Sequence, residues 1–157
     1  MSKSTHRRTI LMADDDAEDC SLVRDALTEA GWACNFHFVR DGDELFDYLR
    51  HDGEYVDGRN SPWPDLILLD LKMPRKDGRE TIRDLKADSR FRRIPVIALT
   101  TSSAGDDVDF SYGAGANSYI TKPTTYRDLV EILGVLGKYW FEVVELPTKA
   151  RHGGKTD

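Results

Sequence analysis

LILLDLKMPRKDG, residues 66–78, is the stretch of sequence that decides the fold of this chain. Four consecutive apolar residues run directly into Asp70, and a turn-prone segment that ends in Gly78 follows. An unbroken apolar run is typical of a strand that is buried on both faces of a parallel sheet. Short apolar runs also occupy residues 10–13, 96–99 and 118–120. The stretch therefore predicts a buried strand whose carboxyl end presents an aspartate.

Segments with helical spacing of apolar residues separate these runs. Strands that alternate with helices predict βαβ units, and hence a doubly wound α/β fold with five parallel strands and five helices. Residues 51–64 are expected to form a surface loop. Within it, Tyr55 and Trp63 are candidates to pack back onto the domain. The expected helices cover residues 17–30, 41–49, 79–87, 104–112 and 126–144, and the remaining strand covers residues 34–39.

The length and the net charge of the chain limit the number of domains and the kinds of partner that it can have. With 157 residues it suits one domain, expected at residues 8–146 between an N-terminal tail at 1–7 and a disordered tail at 147–157. The formal net charge of −6 argues against a nucleic-acid partner, because phosphate-backbone binding needs clustered Lys and Arg. No run approaches the ~20 apolar residues of a membrane helix. We therefore expect a soluble, cytoplasmic protein that binds neither nucleic acid nor membrane.

Polar residues follow the expected strands at the edge of the sheet where doubly wound folds bind ligands. Asp14 and Asp15 follow the first strand, Asp70 follows the third, Thr100 ends the fourth, and Lys122 comes after the fifth. A single aspartate in such a position often caps the next helix. Several carboxylates together repel one another unless a cation joins them, and Mg²⁺ prefers oxygen ligands of this kind. Carboxylate, Mg²⁺, ammonium and hydroxyl are the groups that phosphoryl transfer needs.

LMADDD, LILLDLKMPRKDG, VIALTTS and YITKP together resemble the receiver domains of response regulators, over roughly residues 8–146. The resemblance implies a flavodoxin-like sheet with strand order 2-1-3-4-5. It implies that Asp70 is the phospho-acceptor and that Mg²⁺ is the cofactor, with Mn²⁺ or Ca²⁺ as substitutes. The metal ligands it implies are Asp70 and Asp15 directly, Asp14 through a water molecule, and the backbone carbonyl of Lys72.

The same resemblance implies roles for residues of the last two strands. Thr100 and Lys122 would assist phosphoryl transfer, with Thr100 as the switch hydroxyl and Tyr119 as the switch aromatic residue. The peptide bond before Pro123 is expected to be cis, a form that is accessible before proline. The implied function is that of a phospho-acceptor signalling protein and not of an enzyme. Its own chemistry would be Mg²⁺-dependent phosphotransfer from a sensor histidine kinase and autodephosphorylation.

Within that family the chain is most similar to the regulators of bacterial and cyanobacterial phytochromes. The features are the insert at 51–64, RKDGRE at 75–80, the pair at 100–101 and KYWFEVVELP at 138–147. They imply a phytochrome-type sensor histidine kinase as partner, and signalling to an unknown downstream protein by direct contact.

Three other functions stay open on the sequence alone, and a fourth is disfavoured. The chain could act as a phosphate sink, as a pseudo-receiver scaffold or as a small-molecule Mg²⁺-dependent phosphatase. Such phosphatases commonly carry a general acid two residues after the nucleophile, where this chain has Lys72. A flavodoxin-like FMN carrier would need a loop rich in Ser, Thr and Gly after the first strand, where residues 14–16 are aspartates.

The last expected helix, residues 126–144, carries apolar side chains nearly all the way round its axis. A single sheet-facing stripe would need about half of them, and surplus exposed apolar surface marks an interface. Gly134 and Gly137 lie on neighbouring turns and would let another helix approach closely. We therefore expect a homodimer through the α4-β5-α5 face, that is, the fourth helix, fifth strand and fifth helix, extended by residues 139–146.

Overall fold

The polypeptide forms one parallel five-stranded sheet in the computed structural model, which describes residues 7–147. The strands are β1 (Arg8–Ala13), β2 (Cys34–Val39), β3 (Leu66–Leu69), β4 (Val96–Thr100) and β5 (Ser118–Thr121). Their order is β2-β1-β3-β4-β5, and every neighbouring pair is parallel. The predicted doubly wound fold and its strand order are confirmed. Of the tails expected at 1–7 and 147–157, residues 1–6 and 148–157 lie outside the described part of the chain.

Five α-helices connect or follow the strands, and side-chain caps mark where most of them begin. They are α1 (Ala17–Glu29), α2 (Gly42–Arg50), α3 (Gly78–Ala87), α4 (Gly105–Ala114) and α5 (Tyr126–Gly137). Asp16, Asp41, Asp77 and Thr125 each accept a hydrogen bond from a backbone N–H of the first helical turn. Such caps satisfy N–H groups that the helix itself leaves unpaired. The first four helices lie within two residues of their predicted bounds.

An apolar layer covers each face of the sheet. One layer packs α2 and α3 against it and buries Phe46 and Leu85, among others. The other packs α1 and α5 and buries Leu27 and Leu133. Alternate residues of β3 belong to the two layers, and all four of them are buried. This two-sided burial is the reason that the strand is apolar without interruption.

The insert at residues 51–64 folds back onto the layer that contains α2. It includes a short 3₁₀ turn, Gly53–Tyr55, whose tyrosine hydroxyl donates a 2.7 Å hydrogen bond to Glu44 Oε2. Trp63 packs against Phe91, with ring centroids 6.1 Å apart. The expected docking of Tyr55 and Trp63 is confirmed, so the insert is part of the packed domain.

The segment after α5 departs from the prediction of one helix to residue 144. The α-helix ends at Gly137, and a wider π-helical segment, Lys138–Val143, follows. Apolar residues all round the axis leave no 3.6-residue stripe from which the change of winding could be predicted. The wider segment brings Phe141 into edge-to-face contact with Trp32, with centroids 5.8 Å apart.

The two glycines of α5 serve packing inside the chain, which corrects their predicted role at an interface. A Cβ atom on Gly137 would overlap the indole ring of Trp32. A Cβ atom on Gly134 would lie 3.8 Å from that of Ala30, at the end of α1. The residue that requires a glycine at position 137 is therefore Trp32, just after α1 of the same chain, whereas position 134 shows only an ordinary contact with the end of that helix. The glycines give no argument for a dimer.

Candidate functional site

Three carboxylates meet at the carboxyl edge of the sheet. Asp14 and Asp15 follow β1, Asp70 follows β3, and these two strands are neighbours. One oxygen atom from each of the three lies within 4.8 Å of the other two. Asp14 and Asp70 are buried, whereas Asp15 is exposed. The fold therefore brings together the three acidic residues, as predicted from their positions directly after the strands.

The environment of Asp14 combines burial with strong hydrogen bonding. Burial raises the pKa of the Asp14 carboxyl above its ordinary value, and hydrogen bonds from Lys122 and from the Asp16 backbone N–H oppose that rise. The latter bond measures 2.9 Å to Asp14 Oδ1. Both oxygens of this carboxylate thus have a donor, as a buried charged group requires.

Lys122 brings the positive charge of the site. Its Nζ lies 2.7 Å from Asp14 Oδ2 and 2.8 Å from Asp19 Oδ2, whereas Asp70 Oδ2 is 4.0 Å away. Its backbone N–H donates to the Thr100 carbonyl at 2.7 Å, which ties the end of β5 to the end of β4. Burial lowers the pKa of the Lys122 amine, but the hydrogen bonds to Asp14 and Asp19 outweigh it and raise this pKa overall. The amine is therefore an ammonium group that acidic side chains hold in place.

Thr100 and Tyr119 lie on neighbouring strands, β4 and β5. The hydroxyl of Thr100 is fully buried and has no hydrogen-bond partner within the part of the chain that the structure describes. Tyr119 is half-buried, and its hydroxyl donates a 2.7 Å hydrogen bond to the Ser102 carbonyl in the loop after β4. A buried hydroxyl without a partner is costly and calls for an explanation.

The loop between β3 and α3 is held close to Asp70 by the start of α3. The Gly78 N–H donates to the Leu71 carbonyl at 3.0 Å, and a Cβ atom at position 78 would overlap the Asp70 carbonyl. The turn expected before Gly78 is confirmed and Asp77 caps α3, but this close approach has no sequence signature beyond the glycine itself. Lys72, expected to offer its backbone carbonyl, lies in this loop with an exposed side chain.

The same loop is also fastened to α2. Arg75, which has a left-handed backbone with φ 58°, forms an ion pair with the fully buried carboxylate of Asp41. The Gly42 N–H donates to the Lys76 carbonyl at 2.9 Å. These contacts fix the path of the loop backbone against the start of α2.

The peptide bond before Pro123 is trans, which corrects the expected cis bond. The trans form is the lower in free energy for a bond of this type, by about 0.5–1 kcal/mol. In this conformation the Lys122 backbone keeps its bond to Thr100, and its side chain reaches Asp14.

Two further aspartates lie in the first turn of α1, and only one of them is a simple cap. Asp16 Oδ1 accepts hydrogen bonds from the backbone N–H groups of Glu18 and Asp19 and thereby caps the helix. Asp19, an acidic residue of the first turn, instead accepts a hydrogen bond from Lys122. This contact had no signal in the sequence, because it joins α1 to a lysine that lies 103 positions further along the chain.

The donor set at the edge of the sheet fits a hard divalent cation. Asp14, Asp15 and Asp70 offer oxygen atoms from three carboxylates within a few ångströms. Mg²⁺ and similar ions are bound by one or two carboxylates together with water and phosphate oxygens. The residues present therefore match the expected metal, which would lower the repulsion between the carboxylates and an incoming phosphoryl group.

None of the helices within residues 7–147 is long and apolar enough to cross a membrane. The family profile of the response regulator receiver domain matches residues 10–134. Response regulator Rcp1 of a Synechocystis strain is 39% identical over 145 residues, which cover 92% of this chain and 97% of Rcp1.

Solved structures of three proteins extend this similarity. The phosphorylated cyanobacterial phytochrome response regulator RcpA has a TM-score of 0.83 at 38% identity, over 91% of this chain and 100% of that one. The Mn²⁺-bound form of Rcp1 has a TM-score of 0.80 at 39% identity, over 90% and 99%. RPA3017, a response regulator in red light signaling of R. palustris, has a TM-score of 0.84 at 35% identity, over 90% and 99%. The chain therefore belongs to the response regulator receiver domain family of two-component systems and is homologous to phytochrome response regulators.

Proposed function

We propose that Asp70 accepts a phosphoryl group from a sensor histidine kinase and that the phosphorylated chain signals by protein contact. The observation that carries this proposal is the arrangement around one buried carboxylate. Asp70 lies beside Asp14 and Asp15, 4.0 Å from the Lys122 amine, at the same edge of the sheet as Thr100. Phosphoryl transfer depends on such positioning and charge neutralisation more than on covalent assistance.

The transfer step balances as a displacement at phosphorus. A carboxylate oxygen of Asp70 forms a bond to the phosphorus of a phosphohistidine, while the bond between phosphorus and the imidazole nitrogen breaks. The electron pair of that bond stays on the imidazole, which takes up a proton. Lys122 and the Thr100 hydroxyl donate hydrogen bonds to the phosphoryl oxygens, since charge develops there in the transition state. Hydrolysis by water later breaks the bond to Asp70 and releases inorganic phosphate.

The metal expected here would be held by Asp70, Asp15, the Lys72 carbonyl and, through water, Asp14. When bound, a Mg²⁺ ion supplies charge neutralisation for the phosphoryl oxygens, and Mn²⁺ or Ca²⁺ would serve in its place. The exposed position of Asp15 supports its direct role, because it can exchange water for metal without opening the core. The Mn²⁺-bound form of the relative Rcp1 agrees with a divalent cation.

We assign the conformational switch to Thr100 and Tyr119. A phosphoryl group on Asp70 gives the buried Thr100 hydroxyl the partner that it lacks in the described structure. Movement of Thr100 toward Asp70 leaves room behind it for Tyr119, whose hydroxyl is bonded to the Ser102 carbonyl. The face of α4 and β5 then changes shape, which is a local charge event that biases a two-state surface.

A groove beside Lys122 is the proposed docking site of the kinase. It has a volume of about 110 Å³ and lies between α1 and the loop after β5, with Leu22 and Tyr126 among its lining residues. Both side chains are exposed, so they offer contact area to a partner beside Lys122. The phytochrome type of the kinase is proposed from the relatives named above. The cytoplasmic location is proposed from the sequence, as expected there.

A second, apolar groove supports the proposed homodimer. It has a volume of about 760 Å³ and is lined by β5, by α5 and by the π-helical segment. Val135 and Tyr139 line the groove and are 71% and 50% exposed, an unusually large exposure for apolar side chains. The groove covers the β5 and α5 part of the expected face and its extension, whereas no residue of α4 lines it.

The proposal is tested by intact-mass spectrometry after incubation with acetyl phosphate, with and without Mg²⁺. We expect the parent chain to gain one phosphoryl group only with the metal, and Asp70→Asn to gain none. Asp65→Asn, which changes an aspartate at the opposite end of β3, is the matched control and is expected to behave as the parent. No gain from acetyl phosphate or from a histidine kinase would overturn the proposal in favour of a pseudo-receiver scaffold. Many turnovers on p-nitrophenyl phosphate would instead indicate a phosphatase.

A further inference from the structure

Lys122 has more acidic partners than the proposed transfer step requires. An ammonium group has three hydrogen-bond donors. Two of them point to Asp14 Oδ2 at 2.7 Å and to Asp19 Oδ2 at 2.8 Å. The distance of 4.0 Å to Asp70 Oδ2 is too long for a hydrogen bond. In this arrangement the amine therefore stands next to the acceptor without binding it.

The two partners of Lys122 differ in their surroundings. Asp14 is 1% exposed and belongs to the carboxylate group of the site. Asp19 lies in the first turn of α1, and its side chain is 34% exposed. Lys122 is the one partner recorded for the Asp19 carboxylate among the described hydrogen bonds. Asp19 is thus attached to the site through the lysine alone.

Phosphorylation must change this arrangement. If Lys122 is to donate to an oxygen of a phosphoryl group on Asp70, Nζ has to move away from at least one of its present partners. The bond to Asp19 is the more easily surrendered, because water can replace the lysine at a carboxylate that is partly exposed. A contact that exists in one state only shifts the equilibrium toward that state by its own free energy.

We propose that Asp19 is a positioning residue that holds Lys122 away from Asp70 and thereby disfavours the phosphorylated state. The inference rests on the proposed function and adds to the same site a residue that opposes phosphorylation. The carboxylate of Asp19 sets how readily the site accepts a phosphoryl group, although it touches neither the acceptor nor the phosphoryl group.

Beryllofluoride binding tests this inference, because BeF₃⁻ on an aspartate oxygen imitates a phosphoryl group without covalent turnover. Titrations followed by ¹⁹F NMR at saturating Mg²⁺ compare the parent chain with Asp19→Asn. We expect the variant to bind about two- to fivefold more tightly, as the loss of a partly exposed ion pair allows. Asp19→Glu keeps a carboxylate and is expected to bind within twofold of the parent. Asp25→Asn, an exposed aspartate of the same helix paired with Arg24, is the matched charge control and is expected to leave the affinity unchanged.

A second measurement separates the lysine from a general charge effect. In a Lys122→Ala background, Asp19→Asn is expected to change beryllofluoride affinity by less than twofold. An equal gain in both backgrounds would overturn the inference, because Asp19 would then act directly on the anion. Unchanged or weaker binding by Asp19→Asn alone would also overturn it while the proposed function stands. A parent chain that takes neither beryllofluoride nor phosphoryl group would overturn both.

Discussion

Gly78 lies against the backbone of Asp70 so closely that a Cβ atom at position 78 would overlap the Asp70 carbonyl oxygen and stand 2.5 Å from the Leu71 Cα. Backbone atoms cannot turn aside as a flexible side chain can, so Gly78→Ala has to push the acceptor strand and α3 apart. We expect a loss of about 1–3 kcal/mol in the free energy of unfolding and slower phosphorylation of Asp70. Urea unfolding and the acetyl phosphate assay measure the two effects.

Gly113→Ala is the matched control for that substitution. Gly113 lies inside α4, and nothing approaches the position of its Cβ within 4 Å. Alanine there is expected to stabilise the chain by about 0.5–1 kcal/mol, since glycine is unfavourable within a helix. Equal unfolding free energies for the two variants would refute the close approach at Asp70.

Thr100→Val is expected to separate folding from switching. The Thr100 hydroxyl is buried without a partner, so its removal should leave the free energy of unfolding unchanged or raise it by up to about 1 kcal/mol. Beryllofluoride affinity should fall, because the variant cannot donate to the anion. Thr81→Val, whose buried hydroxyl donates to the Asp77 carbonyl at 2.6 Å, is the control and should lose about 1 kcal/mol of stability. Destabilisation of both variants to the same extent would contradict this reasoning.

Leu22→Arg is expected to impair transfer from a histidine kinase while leaving acetyl phosphate as good a donor as before. Leu22 is 45% exposed and lines the groove beside Lys122. Truncated or charged contacts at the centre of an interface commonly cost ~1 kcal/mol or more, or about fivefold. Transfer from a phosphorylated phytochrome-type kinase that serves the parent chain is the measurement. Val56→Arg, an exposed apolar position in the insert, should show no loss. An equal fall in the rate of phosphorylation by the kinase and by acetyl phosphate would indicate damage to the phosphorylation site itself.

Val135→Arg is expected to weaken the proposed homodimer. Val135 and Val56 are 71% and 74% exposed, so Val56→Arg is a control with matched exposure outside the apolar groove. Light scattering after size exclusion at micromolar concentration, with and without a phosphoryl donor, reports the mass of the assembly. A parent chain that is monomeric under both conditions would exclude the dimer.

The stability of the chain is expected to depend on pH through His37. Burial lowers the pKa of this imidazole below 6.5, so the folded chain takes up its proton less readily than the unfolded chain. The contribution of the neutral ring is complete above about pH 6.5 and declines as the pH falls toward the lowered pKa. Between about pH 7 and pH 5, the free energy of unfolding should therefore fall more steeply for the parent than for His37→Phe. Both proteins have the same carboxylates, so the difference between them reports the histidine. Parallel curves for the two proteins would count against this assignment.

The sheet and the positions of the acidic residues were predictable because both depend on local patterns. A strand buried on two faces must be apolar throughout, and a parallel sheet collects the residues after its strands at one edge. Leu66–Leu69 and the aspartate that follows them are a clear case. The order of the strands came from the family resemblance, and the side on which each helix packs came from the structure.

Other features escaped prediction because they depend on contacts between distant segments. The end of α5 is set by packing between Phe141 and Trp32, which lie far apart in the sequence. The ion pair of Asp19 with Lys122 likewise joins residues 103 positions apart, so the helix start alone could not indicate it. The close approach at Gly78 depends on the path of a loop.

The bond between Asp14 and Lys122 joins residues 108 positions apart, from the first strand and from just beyond the last. On the proposed function, a chain still being synthesised, or one cut before β5, has its nucleophile and its acidic neighbours but no cation of its own to balance them. The cluster that surrounds Asp70 is thus complete only when the sheet has formed from β1 through to β5.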